Sequence, residues 1–132
     1  MKNKKYIFLI FIFLGAFNLS AQKEILYYKV LNKVGVLPLF PGGNDSLKDF
    51  IFDNYNLELL SAYSIKGYIY AKFTISKDGS VSDIKLVKGL DEFLDKEFLR
   101  VLSIMPKWTP AKISGKPVDC SVLIGIYLTT DF

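Results

Sequence analysis

The clearest pattern along the chain is a strict alternation. Ile69, Ala71, Phe73 and Ile75 are separated by Tyr68, Tyr70, Lys72 and Thr74, which predicts a strand from Gly67 with one apolar face. Lys77-Asp78-Gly79 follows, and Asp-Gly supplies the positive φ that a tight hairpin requires. A second strand is predicted from about Ser80 to Val87. Val81 is out of phase there with Ile84 and Leu86, and a bulge near Ser82 and Asp83 restores the register. A third run, Val118 to Leu128, puts Val118, Cys120, Val122, Ile124 and Ile126 on one face and Leu123 and Tyr127 on the other. Helical spacing occurs twice. Leu47, Phe50, Ile51 and Tyr55, with Phe52 beside them, predict a helix capped by Asn44 or Asp45 and ending near Tyr55. Leu94, Phe98, Val101, Leu102 and Met105 predict a second helix over about Asp91 to Ile104. Asp91 caps it, Glu92 and Asp95 suit its first turn, and Pro106 stops it. Residues 56–66 read as irregular.

The order is therefore helix, strand, strand, helix, strand. It fits an α+β two-layer sandwich, a three-stranded antiparallel sheet packed on two helices. Residues 22–40 form a lead-in in which Ile25, Leu26, Tyr27, Tyr28 and Val30 have β-type chemistry. This segment either pairs on a sheet edge or stays loose. Pro38 and Pro41 favour extended backbone, and Gly42 and Gly43 allow a turn into the first helix. Lys107 to Pro110 reads as extended, and Gly115-Lys116-Pro117 as a turn. No internal repeat or second domain is visible, so residues 41–132 are read as one domain.

The first segment differs from the rest. Lys2, Lys4 and Lys5 precede an uncharged apolar run from Tyr6 to Phe17, and Ser20 and Ala21 follow as small residues. This is the layout of an export signal cleaved after Ala21, leaving the mature chain in the periplasm. The run is shorter than the roughly 20 residues that cross a bilayer. The alternative is an uncleaved inner-membrane anchor. Removing residues 1–21 turns 17 basic groups into 14 against 13 acidic ones, so the net charge falls from +4 to +1. A charge so small argues against a nucleic-acid partner.

Composition narrows the chemistry. The chain has no histidine and one cysteine. Ser-His and Cys-His catalysis, imidazole metal sites and an internal disulfide are excluded. The expectation is a protein that is not an enzyme, with no cofactor and no small-molecule substrate. Cys120, in an apolar strand, reads as a core residue rather than a reactive thiol.

Five pieces in order carry a resemblance: Phe40-Pro41-Gly42-Gly43; Gly67 to Phe73; Asp78-Gly79-Ser80-Val81; Met105 to Pro110; and Gly115-Lys116-Pro117-Val118. Together they resemble the TonB C-terminal domain, in a short stand-alone form, over roughly residues 34–132. The resemblance implies a three-stranded sheet on two helices in the periplasm. It implies a partner too, a TonB-dependent outer-membrane receptor or related envelope protein, whose extended segment adds as a strand beside the last strand. The docking strand would then be Val118, Cys120, Val122, Ile124 and Ile126. That run is long, apolar and free of proline up to Phe132, and an uncovered edge of this kind is a template for pairing. Full energy transducers of this family have a membrane anchor and a long proline-rich spacer. Here residues 22–40 would reach about 60 Å at most when extended. The alternative readings are an inner-membrane-anchored energy transducer and an envelope module that self-associates, as a homodimer, through its edge strand.

Other features have plainer readings. Trp108 reads as a core anchor. Tyr68, Tyr70 and Lys72 share a strand face that is either a binding surface or the wet face of the sheet. The acids from Asp91 to Glu97 read as helix capping, and Gly42-Gly43 as a turn.

Overall fold

The computed structural model describes residues 26–62 and 64–130. The expected export signal, residues 1–21, lies outside them. In chain order the elements are β1 (Leu26–Val30), α1 (Asn44–Asn54), a 3-10 helix (Leu57–Ala62), β2 (Lys66–Ile75), β3 (Val81–Lys88), α2 (Glu92–Ser103), β4 (Ala111–Ile113), β5 (Lys116–Val118) and β6 (Cys120–Thr129). The main sheet has the order β1-β6-β2-β3, with every neighbouring pair antiparallel. Two helices cover one face, so the α+β two-layer architecture holds. The expected three strands become four, because the lead-in pairs with the last strand.

The alternation in β2 does what period two demands. Ile69, Ala71, Phe73 and Ile75 are all buried, and β2 runs opposite β6 from Lys66↔Thr129 to Ile75↔Cys120. The β2–β3 hairpin closes on Gly79 at φ 90. The Gly79 N–H donates to the Ser76 carbonyl at 2.8 Å, and the Ser76 N–H donates to the Ser80 carbonyl at 2.9 Å. The bulge expected near Ser82 and Asp83 is present. Asp83 has φ 50, and the pairing shifts between Lys72 and Thr74. A second shift, between Tyr70 and Ala71, sets Val87 outside the ladder.

Helix α2 begins as its sequence dictates, with the Asp91 carboxylate accepting from the N–H groups of Phe93 and Leu94 at 2.9 and 3.2 Å. The start of α1 differs from expectation. Gly43, at φ 90, is the cap and supplies no side-chain bond. The Asn44 side chain instead accepts from the Tyr28 hydroxyl at 2.8 Å, tying α1 to β1. The stretch expected to be irregular contains the 3-10 helix, which buries Leu60. So short a helix leaves no 3.6-residue period to read.

Leu47 and Ile51 of α1 and Leu94, Phe98 and Leu102 of α2 close over Phe73, Val122 and Ile124. Trp108 joins them as the core anchor expected of a large aromatic, 3% exposed, with Phe40, Phe73 and Tyr28 around its ring. Its indole nitrogen has no hydrogen-bond partner among the described residues. Cys120 is buried, and burial with the neighbouring Asp119 charge pushes its thiol up from its ordinary value. A raised thiol pKa disfavours the nucleophilic thiolate.

Candidate functional site

Strand addition requires backbone N–H and C=O groups that no neighbour has taken. The run expected to offer them is divided in the structure. Val118 closes β5 and pairs with Ala111 in a short hairpin. Asp119 interrupts the run, its carboxylate accepting the Lys77 N–H at 2.7 Å, and β6 starts at Cys120. Cys120, Val122, Ile124 and Ile126 all face the helices and are 0–2% exposed.

The expectation that the last strand lies at an edge needs correction. Strand β6 sits inside the sheet, with β2 on one side and β1 on the other. Burial explains why. Leu26, Tyr28 and Val30 stand opposite Ile126, Ile124 and Val122 and extend the same inward face. Leu26 is 1% exposed, and Tyr28 and Val30 are packed against the core. Without β1, the rim of the core and a row of backbone groups on β6 would meet water.

One hydrogen bond sets the direction of those groups. The Leu31 N–H donates to the Ser121 carbonyl at 2.8 Å, and the Ser121 N–H donates to the Asn32 side chain. Ser121 therefore turns its backbone toward the β1 side. Alternation within an antiparallel ladder gives Leu123, Gly125 and Tyr127 the same direction, and turns Val122, Ile124 and Ile126 toward β2. The set chosen from sequence marks the core face of the strand. The groups a partner strand could use belong to the residues between them. That parity was implicit in the alternation, but it becomes decisive only once β2 is known to own the other side.

Beyond Ile126, β1 sets no described residue opposite Tyr127, Leu128 or Thr129. The other rim of the sheet, β3, is poorly suited to accept a strand. It is bulged twice, carries Asp83 at positive φ, and exposes Lys85 and Lys88; bulges and charges of this kind protect edges from pairing. On the face away from the helices, Tyr68 stacks on Tyr70 at 5.4 Å and meets Tyr127 at 5.0 Å. A β-carbon at Gly125 would run into the Tyr70 ring. Among the described residues, no group of three His, Cys, Asp or Glu side chains could hold a metal ion. None of their helices is long and apolar enough to cross a membrane.

Residues 61–127 match the family described as the Gram-negative bacterial TonB protein C-terminal, a span of just over half the chain. The chain belongs to the TonB C-terminal family. The solution structure of the Helicobacter pylori TonB C-terminal domain (residues 179–285) is 25% identical, matching over 69% of this chain and 89% of that one, with a TM-score of 0.41. Comparison with curated protein sequences gives no match. The family match takes in β2 to most of β6 and leaves out β1. The strand that covers β6 in this TonB-like domain thus comes from outside the matched span.

Proposed function

We propose that this TonB C-terminal domain acts in the periplasm in transport across the outer membrane. It captures an extended segment of a TonB-dependent receptor, or of a related envelope protein, by strand addition on β6. The incoming segment takes the place of β1. In TonB, the domain of this family interacts with outer-membrane receptors, and the absence of histidine speaks for binding rather than catalysis.

The observation that carries the reading is that the outer neighbour of β6 is a strand of the lead-in, with no strand on its own far side among the described residues. Strand β2 is held between β6 and β3, whereas the described residues of β1, Leu26↔Ile126 to Val30↔Val122, are bonded to β6 alone. A partner strand in the same place would regain the main-chain bonds that β1 gives up. Main-chain bonds supply affinity in such an exchange. Alternate side chains, replacing Leu26, Tyr28 and Val30 over the core rim, supply selectivity. The site is then the backbone of Ser121, Leu123, Gly125 and Tyr127. Cys120, Val122, Ile124 and Ile126 hold the strand in the core, and Val118 anchors its approach.

Two proline substitutions test this. Lys29 has the same parity as Leu31, so its N–H faces β6; Lys29→Pro weakens β1 and leaves β6 intact. Leu123→Pro removes an N–H that any strand in this position needs, while leaving the ladder to β2 in place. In titrations with a peptide from the N-terminal segment of an outer-membrane receptor, Lys29→Pro should tighten binding about fivefold, the equivalent of one net hydrogen bond. Leu123→Pro should abolish it. Equal affinity for both variants, each shown by circular dichroism to be folded, refutes the assignment.

A further inference from the structure

The register of the sheet lines up lysines on the face away from the helices. Lys29 lies opposite Leu123, Leu123 opposite Lys72, and Lys72 opposite Lys85, one row across all four strands. Lys88 stands opposite Tyr70 in the next row. Neighbouring strands are about 4.8 Å apart, so the row crosses the sheet over roughly 15 Å. All four lysines are exposed, and none forms an ion pair with a described residue. Lys72 and Lys85 are like charges set directly opposite each other, an arrangement that costs stability. The described carboxylates nearest in sequence are Asp83, in the bulge of β3, and Asp91, which caps α2 and accepts from the Phe93 and Leu94 N–H groups.

The other layer has the opposite sign. Helix α1 carries three carboxylates against Lys48 alone, and α2 with its cap carries four against Lys96 and Arg100. A net charge of only +1 after residue 21 conceals a molecule whose charge is sorted by layer. We propose that the lysine face of the sheet docks on an anionic phospholipid surface. The proposal is independent of strand addition.

Three features select a lipid surface over an acidic protein or a nucleic acid. The face is the open side of a sheet and not a groove. The row is built of lysine, while the chain's single arginine, Arg100, lies in α2. Lysine acts as a mobile point charge without the fixed bidentate geometry of a guanidinium, which suits a fluid array of headgroups. Half-buried Tyr68 and Tyr70 flank the row, and tyrosine is a side chain of membrane interfaces. The sequence distance agrees. The apolar run ends at Phe17 and β1 begins at Leu26, and residues 18–25 reach at most about 28 Å. If the run is retained in a bilayer, the sheet is held within reach of that surface.

Lysine acetylation footprinting of the full chain, read by mass spectrometry, tests the proposal. The probes are vesicles of phosphatidylcholine alone, the same lipid with 30% phosphatidylglycerol (roughly the anionic fraction that gives a strong surface potential), and soluble polyglutamate. The expected result is protection of Lys29, Lys72, Lys85 and Lys88 on the anionic vesicles alone, with Lys48, Lys107 and Lys116 unchanged, and loss of that protection at high salt. Lys72→Gln and Lys85→Gln should each weaken the salt-sensitive association about fivefold. Each should also raise the melting temperature, because each relieves the opposed charges. Equal protection on neutral and anionic vesicles overturns the proposal. So does protection by polyglutamate without protection by vesicles, which would reassign the face to an acidic polypeptide.

Discussion

Single positions decide how tightly the hairpin and the helices are fastened. Gly79 combines φ 90 with a backbone contact: the Trp108 N–H donates to its carbonyl at 2.9 Å, and a β-carbon there would overlap the Trp108 carbonyl. Gly79→Ala should therefore cost about 2–4 kcal/mol, measured by urea denaturation, well above the usual cost of removing glycine from a turn. The Glu97 carboxylate joins the two helices. It accepts from Arg100 at 2.7–2.8 Å and from the Asn56 N–H at 2.7 Å, while Arg100 donates to the Asn54 carbonyl at 2.6 Å. The Arg100 bonds, followed by the Asn56 N–H, hold the Glu97 pKa below its ordinary value. A lowered folded-state pKa gives stability that is complete above the unfolded value and is lost as pH falls through the folded one. Glu97→Gln should cost about 1 kcal/mol at neutral pH, and its melting temperature should converge on that of the parent as the pH is lowered through the carboxylate range. At this scale, legibility followed locality. Asp91, Gly79 and Asp83 act on backbone within a few residues, and their roles could be read from the chain. The cap of α1 could not, because Asn44 is engaged by Tyr28 from another element.

Elements were legible where they carried a period long enough to count. Strands β2 and β3 and helix α2 lie within a residue or two of where their patterns put them. The strands of the β4–β5 hairpin left no such trace, because they have three residues each. The turn expected at Gly115-Lys116-Pro117 lies earlier: Ser114 at φ 51 and Gly115 at φ 78 make it, and Lys116 and Pro117 already belong to β5; serine does not announce a positive φ. The environment of β6 was hidden for a different reason. Its length and apolar face were plain, but which strand lies beside it depends on contacts between residues 26–30 and 122–126, and no local pattern reports those. Strand β1, as far as it is described, is bonded on one side only. Its amides should exchange hydrogen through an opening cheaper than global unfolding, with protection well below that of β2. Native-state hydrogen exchange in low denaturant checks this, and equal protection of β1 and β2 would show that β1 opens only with the whole fold.

At the scale of the molecule, the fold class followed from element order because a sheet with one apolar face and two amphipathic helices have few ways to bury each other. The sorting of charge between the layers did not follow. Lys29, Lys72 and Lys85 are far apart in sequence, and only the register brings them into line. The position of β1 has a mechanical consequence. It is the first described strand of the chain, and the bonded groups at its N-terminal end face Gly125. Tension applied through the preceding residues and drawn across the sheet would load its hydrogen bonds one after another, from Tyr27 toward Leu31, and peel the strand away at low force. A strand pulled along its own axis shares the load among all its bonds at once. The same few hydrogen bonds are therefore weak or strong according to the direction of pull. Under the function proposed above, a sideways load would shed β1, while a partner strand pulled lengthwise in its place would hold.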